Sequence, residues 1–273
     1  MGLFDVHAHL TASAFSHDVE EVLRRAKDAG VSTIISNGLN RRDNQKVLQL
    51  SQAARDMSSP VIRPALGLYP VDAVLPEMLG QGVDYPRDDA ELIQAEEHVE
   101  WLKENIDSAF AVGEIGLDHH WVPESLWQRQ EDIFISLVKL AMKADLPIII
   151  HTRKAEARTL EILLHLKAPR VNWHCFSSRL KLAKRIAEAG HYLSVPANAR
   201  RSETFTGLLR SLPRSQLLLE TDCPYLAPTA GERNEPKSVA ETRNFAAELW
   251  AMSADNALSV LEENFTRLFR VAP

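Results

Sequence analysis

Apolar residues in this chain fall into short runs, and between the runs they recur at helical spacing. Leu3-Phe4-Asp5-Val6-His7 reads as a short buried strand, and Val31 to Ser36 as a β-branched strand bounded by Asn37-Gly38. Further apolar runs at 61–66, 109–114, 148–151, 170–174, 192–195 and 216–222 bring the predicted strands to eight. Ser16, then Val19, Val22, Leu23 and Ala26, then Gly30 predict an N-capped helix with a glycine stop. Ile133, Leu137, Leu140, Ala141 and Ala144 are the core-facing stripe of a helix over 125–144. The same reasoning predicts helices at 42–55, 89–105, 155–167, 179–189, 202–211, 237–252 and 254–269. Residues 71–88, interrupted by Pro76, Gly80, Gly82 and Pro86, predict a long loop on the barrel face.

Eight strands alternating with helices require a parallel sheet, and right-handed crossovers favour closing it into a (β/α)8 TIM barrel. The expected organisation is one α/β domain over residues 1–273. A doubly wound open sheet would carry a glycine-rich phosphate loop after its first strand. His7-Ala8-His9 stands there instead.

Composition adds limits. With 45% hydrophobic and 25% charged residues, the 273-residue chain can build a core of normal density. No apolar stretch reaches membrane-spanning length, and no secretory pattern opens the sequence. Cys175 and Cys223 do not make a disulfide framework. The expectation is a cytoplasmic protein with no membrane association and no obligatory protein partner. A net charge of −6 argues against wrapping duplex nucleic acid, though bound cations would reverse the local field for a phosphate substrate.

The candidate chemistry sits at the strand ends. In an extended segment His7 and His9 share a face, about 7 Å apart, and can close on one divalent cation. Glu114, His151, His174 and Asp222 end later strands, and a barrel brings such positions to its C-terminal mouth. A single histidine at a strand end is as readily structural, but six nitrogen and oxygen donors at mouth positions suit two cations with a shared carboxylate. The expected division gives one metal to His7, His9 and Asp222 and the other to His151 and His174, with Glu114 bridging. Cys175 and Cys223 read as packing residues; His17, His98, His165 and His191, on helices or their ends, read as structural.

Several segments together carry a resemblance: Asp5-Val6-His7-Ala8-His9-Leu10, Gly113-Glu114-Ile115-Gly116-Leu117-Asp118, Pro147 to His151 with Thr152-Arg153, His174-Cys175-Phe176-Ser177, Glu220-Thr221-Asp222-Cys223-Pro224-Tyr225-Leu226 and Arg233-Asn234-Glu235-Pro236. In this order they resemble the TatD family of metal-dependent deoxyribonucleases, collinearly from residue 4 to 269. The resemblance implies a TIM barrel with a binuclear Mg, Mn or Zn site and cleavage of phosphodiester bonds in DNA, often from the 3′ end. Some members are also linked to removing D-amino acids from tRNA. Two departures stand out. The family usually has Gly-x-His-Pro after strand three, where this chain has Gly67-Leu68-Tyr69-Pro70, and an aromatic pair after Gly-Leu-Asp is here His119-His120-Trp121.

The expected mechanism has Asp222 both ligating metal and taking a proton from water, with Glu114 as the second catalytic carboxylate. Arg153 and Arg233 can pair with phosphate oxygens, and Tyr69 can donate to a phosphate or, with Trp121, stack on a base or ribose. The expected substrate is DNA, as single strands or frayed ends. Two other readings use the same barrel: an amidohydrolase cleaving a small ester, lactone, amide or aminoacyl-tRNA ester, and a binding protein without catalysis. Glu114 at the bridging position, with Arg153 and Arg233, favours phosphate.

Overall fold

The computed structural model describes residues 2–56, 59–87 and 89–271. Its strands β1 (Leu3–Ala8), β2 (Val31–Asn37), β3 (Val61–Leu66), β4 (Ala111–Asp118), β5 (Ile148–Arg153), β6 (Val171–Trp173), β7 (Tyr192–Val195) and β8 (Leu217–Leu219) form one eight-stranded sheet in that order. Among the described residues the helices are α1 (Val19–Asp28), α2 (Arg41–Ala53), α3 (Leu75–Gly80), α4 (Ala95–Asn105), α5 (Trp127–Lys143), α6 (Glu156–Leu166), α7 (Leu180–Glu188), α8 (Glu203–Ser211), α9 (Val239–Leu249) and α10 (Ala254–Phe269). The registered strand pairs are parallel. Parallel strands alternating with helices make the (β/α)8 TIM barrel that the sequence predicts.

Contacts group the chain into two units. The first comprises Met1–Ser36, Gln49–Arg63 and Asn172–Pro273. Ile34, Trp173, Leu193, Val195 and Leu217 are buried in it, and Phe4 stacks on Phe265 of α10 with ring centroids 4.1 Å apart. Ser202 and Ser253 cap α8 and α10 by accepting from Phe205 N and Asn256 N. The segment after β8 lies along β1: Asp222 N donates to His7 O and His9 N to Cys223 O, both at 2.9 Å.

The second unit comprises Asn37–Leu48 and Pro64–Val171. Val112, Ile115, Leu117 and Ile148 to Ile150 are buried, as is the α5 stripe Ile133, Phe134, Leu137, Val138 and Ala141. Asn44 holds the end of β3 by donating from Nδ2 to Gly67 O at 2.7 Å and accepting from Gly67 N at 3.1 Å. His98 Nε2, on α4, lies 3.0 Å from the same carbonyl.

Several boundaries differ from expectation. The 71–88 stretch is a loop only in part, since Asp72–Val74 is a 3₁₀ turn and Leu75–Gly80 is α3; Asp88 lies outside the described residues. Pro76 sits in the first helical turn, where no amide donor is needed, and Leu75 and Met78 bury the inner face. The helix expected from residue 89 starts at Ala95. Ser16 does not cap α1; Asp18 occupies that position without a capping bond. β4 runs on to Asp118, so Glu114 is inside the strand rather than at its end, while β6 and β8 stop at Trp173 and Leu219.

His98 gives a test of this packing. Burial lowers its pKa to about 4 from an ordinary value of 6.5. The folded state therefore holds the neutral ring, and its contribution is complete above pH 6.5 and lost as pH falls toward 4. The limiting slope is about 1.4 kcal/mol per pH unit. Urea unfolding from pH 7.5 to 4.5 should show wild type losing stability faster than His98→Asn below pH 6.5. Parallel curves would refute the assignment.

Candidate functional site

In the first unit, donors from both ends of the chain converge. The alternation of β1 puts His7 and His9 on one face, and their Nε2 atoms are 3.2 Å apart. Asp222 Oδ1 lies 3.7 Å from His7 Nε2 and 3.4 Å from His9 Nε2. The His174 ring stacks on that of His7, centroids 3.9 Å apart and 8° from parallel. His7, His174 and Asp222 each offer a ligand atom within 4.8 Å of the others. Burial alone would raise the Asp222 pKa, but the His9 hydrogen bond and the charges of His174 and His7 hold it below the usual carboxylate range. Imidazole nitrogens and a carboxylate oxygen so close together fit a divalent cation, which reconciles donor atoms that would otherwise repel.

The groups that orient these ligands are anchored in turn. Asp5 accepts from His7 N at 3.2 Å, Thr221 N at 2.9 Å and Thr221 Oγ1 at 2.5 Å. Burial pushes the Asp5 carboxyl up to about 8 despite those bonds. Glu220 accepts from Cys175 N at 2.7 Å and Ser194 Oγ at 2.5 Å, and its Oε1 is 3.7 Å from His174 Nδ1. Partners of this kind fix the ring orientation of a ligating histidine.

In the second unit His151 lies between two carboxylates. Its Nδ1 is 2.8 Å from Glu114 Oε1, and its Nε2 is 3.1 Å from Asp118 Oδ2. Asp118 also accepts from His120 N at 2.8 Å and Trp121 N at 3.0 Å. Burial would raise the Asp118 pKa, but the His151 bond and charge and the two backbone donors outweigh it. Asp118 can therefore hold the His151 Nε2 proton and present Nδ1, on the Glu114 side, to a cation. Two glycines let the backbones approach here: a Cβ on Gly67 would stand 2.4 Å from Glu114 N, and one on Gly116 1.8 Å from His151 O.

The substrate candidates fall in different settings. Tyr69 meets the His151 ring edge-on at 4.9 Å, and its pKa is raised well above 10, chiefly by burial. Arg153 ends β5, paired in register with Asp118, and its side chain is exposed. Arg233 is engaged within the chain: it donates to Ala14 O, to both carboxylate oxygens of Asp18 at 2.8 and 2.6 Å, and to Glu235 at 3.1 Å. His119 stacks on Trp127 at 3.9 Å, a packing role. Asp118, Glu220 and Asp5 lie inside the motifs already quoted. Only their place beside predicted ligands could have singled them out.

A family model described as TatD related DNase matches residues 4–270. The Bacillus subtilis (strain 168) protein named Uncharacterized metal-dependent hydrolase YabD is 33% identical over 98% of this chain and 99% of its own length. Human Deoxyribonuclease TATDN3 is 28% identical, covering 98% and 95%. The crystal structure of YJJV, a TatD homologue from Escherichia coli K12, superposes with a TM-score of 0.82 at 29% identity, covering 99% of this chain and 98% of that one. With its barrel and its His, Asp and Glu groups able to hold metal ions, this chain belongs to the TatD-related family and is a metal-dependent hydrolase.

Proposed function

We propose that the chain is a single-domain cytoplasmic deoxyribonuclease that trims single-stranded or frayed 3′ ends of DNA with two divalent cations, Mg, Mn or Zn. The observation that carries this is the pair of donor clusters, each set at the C-terminal part of strands in one parallel sheet, where barrel enzymes place their chemistry. In this reading His7, His9 and Asp222 would hold one cation and His151 and His174 the other, with Glu114 shared between them. Such a pair supplies Lewis acidity toward a phosphoryl oxygen and lowers the pKa of water.

The chain's residues do the rest. Asp222, kept ionised by His9, accepts a proton from the attacking water at a carboxylate oxygen. Glu114 offsets positive charge at the centre, Asp118 keeps His151 oriented, and Glu220 sets a carboxylate 3.7 Å from His174 Nδ1. Arg153, exposed at the end of β5, pairs with a phosphate of the strand. Arg233 joins only by exchanging Asp18 or Glu235 for phosphate. The names of the TATDN3 relatives support DNA as substrate.

A chain of net charge −6 has few cations with which to track a long backbone. With two to four phosphate contacts, at roughly 0.7 log units each on single strands, salt dependence should be shallow. A time course on end-labelled single-stranded DNA and on supercoiled DNA, at several salt concentrations, tests this. The expected result is stepwise shortening from the 3′ end with little nicking of closed circles. Rapid nicking, or a salt slope steeper than about −5, would exclude it. A lactone and a D-aminoacyl-tRNA in the same panel test the amidohydrolase alternative.

A further inference from the structure

The geometry points to Arg87 as a substrate-phosphate contact that supplies a positive charge beside Tyr69, which can carry none. This rests on the phosphodiesterase reading above. A phenol at position 69 can donate a hydrogen bond but carries no cationic form. The Arg87 guanidinium lies over the Tyr69 ring, 5.2 Å from its centroid, and that ring in turn meets the ring of His151. A cation is thus brought next to Tyr69 from a segment eighteen residues further along the chain.

Arg87 is held in place. Its Nη2 pairs with the carboxylate of Asp72, a residue only 1% exposed that also accepts from Asn40 Nδ2 at 3.0 Å. Its Nε is 3.3 Å from Asp89. The arginine side chain is 16% exposed, so it is fixed yet still reaches the surface. Among the described residues Nη1 has no hydrogen bond, which leaves one edge of the fork for an oxyanion. A purely structural ion pair would need neither that free edge nor the aromatic surround. Tyr85, whose pKa burial raises and Tyr69 lowers in part, packs edge-on against Trp121 at 5.2 Å. A guanidinium over one phenol, with a second phenol packed on an indole in the same unit, suits a phosphate flanked by an unstacked base, the repeating unit of a single strand.

The discriminating comparison is between an oligonucleotide and bis(p-nitrophenyl) phosphate, which has one phosphate and no bases. Arg87→Gln strands the Asp72 carboxylate, so the double variant Asp72→Asn/Arg87→Gln removes the charge without leaving a buried anion. With metal content and melting temperature checked, KM for single-stranded DNA should rise about tenfold, with kcat within threefold. The loss in kcat/KM on DNA should exceed that on the small diester by about tenfold. Equal losses on both substrates, or an unchanged KM for DNA, would overturn this assignment alone. Wild-type protein that cleaves neither substrate would overturn the phosphodiesterase reading and this one with it.

Discussion

Asp222→Asn should lower kcat on single-stranded DNA by roughly a thousandfold, the scale expected when a positioned proton acceptor is lost. The substitution keeps shape and volume. It also keeps the backbone: Asp222 has φ +55°, in the left-handed region, and asparagine is among the few residues that adopt it readily. The amide that donates to His7 O is retained, so the segment after β8 should still pair with β1. What changes is the oxygen facing His7 and His9, which loses its charge and its capacity to take a proton. Metal retained per chain should fall in parallel, while the melting temperature of the metal-free protein stays close to wild type. Full metal content with near-normal turnover would remove Asp222 from the centre.

Gly116→Ala should be the most destabilising small substitution in the barrel wall. Gly116 is in register with His151 across the β4–β5 pair, and an added Cβ would stand 1.8 Å from His151 O and 2.9 Å from its carbonyl carbon. Both neighbours are strand backbone, with no flexible side-chain end to yield, so the strands must separate. The pairs Leu117–Thr152 and Asp118–Arg153 would be lost with the register. A cost of at least about 3 kcal/mol is expected, a drop in Tm on the order of 10 °C. Gly207→Ala is the internal contrast: this glycine is inside α8 with no atom within 4 Å of the added carbon, and the change should stabilise by about 1 kcal/mol. A Gly116→Ala protein as stable as wild type would mean that β4 and β5 are spaced differently.

The barrel was legible because both of its patterns are written in side-chain polarity: unbroken apolar runs such as Ile148 to Ile150 for strands buried on both faces, and a spacing near 3.6 for the α5 stripe. His7 and His9 were legible as a pair for the same reason, since alternation alone puts them on one face. Periodicity does not say which distant groups a side chain meets. The Asp18 carboxylate, which no local pattern singles out, binds Arg233 across 215 residues, and the Arg233 hydrogen bond outweighs other influences to hold its pKa at about 2. Asp118 escaped notice because β4 was expected to stop at Glu114, four residues before the group that orients His151. The aromatic and cationic cluster around Arg87 was hidden in a stretch whose prolines and glycines signalled loop. Its side chains are nonetheless tied down by Asp72, whose burial no local pattern announces.

The backbone bonds between β1 and the segment after β8 also bear on how the enzyme comes into being. Asp222 and the amide that donates to His7 O leave the ribosome 215 residues after His7, the difference between the two positions. At about 5 to 20 residues per second, that gap lasts roughly 10 to 40 s of synthesis. During it the nascent chain carries His-x-His without the carboxylate that the proposed assignment sets beside it. Under the proposed assignment, a hydrolase built this way gains its proton acceptor only once residue 222 has been translated, and a product terminated before that residue has none.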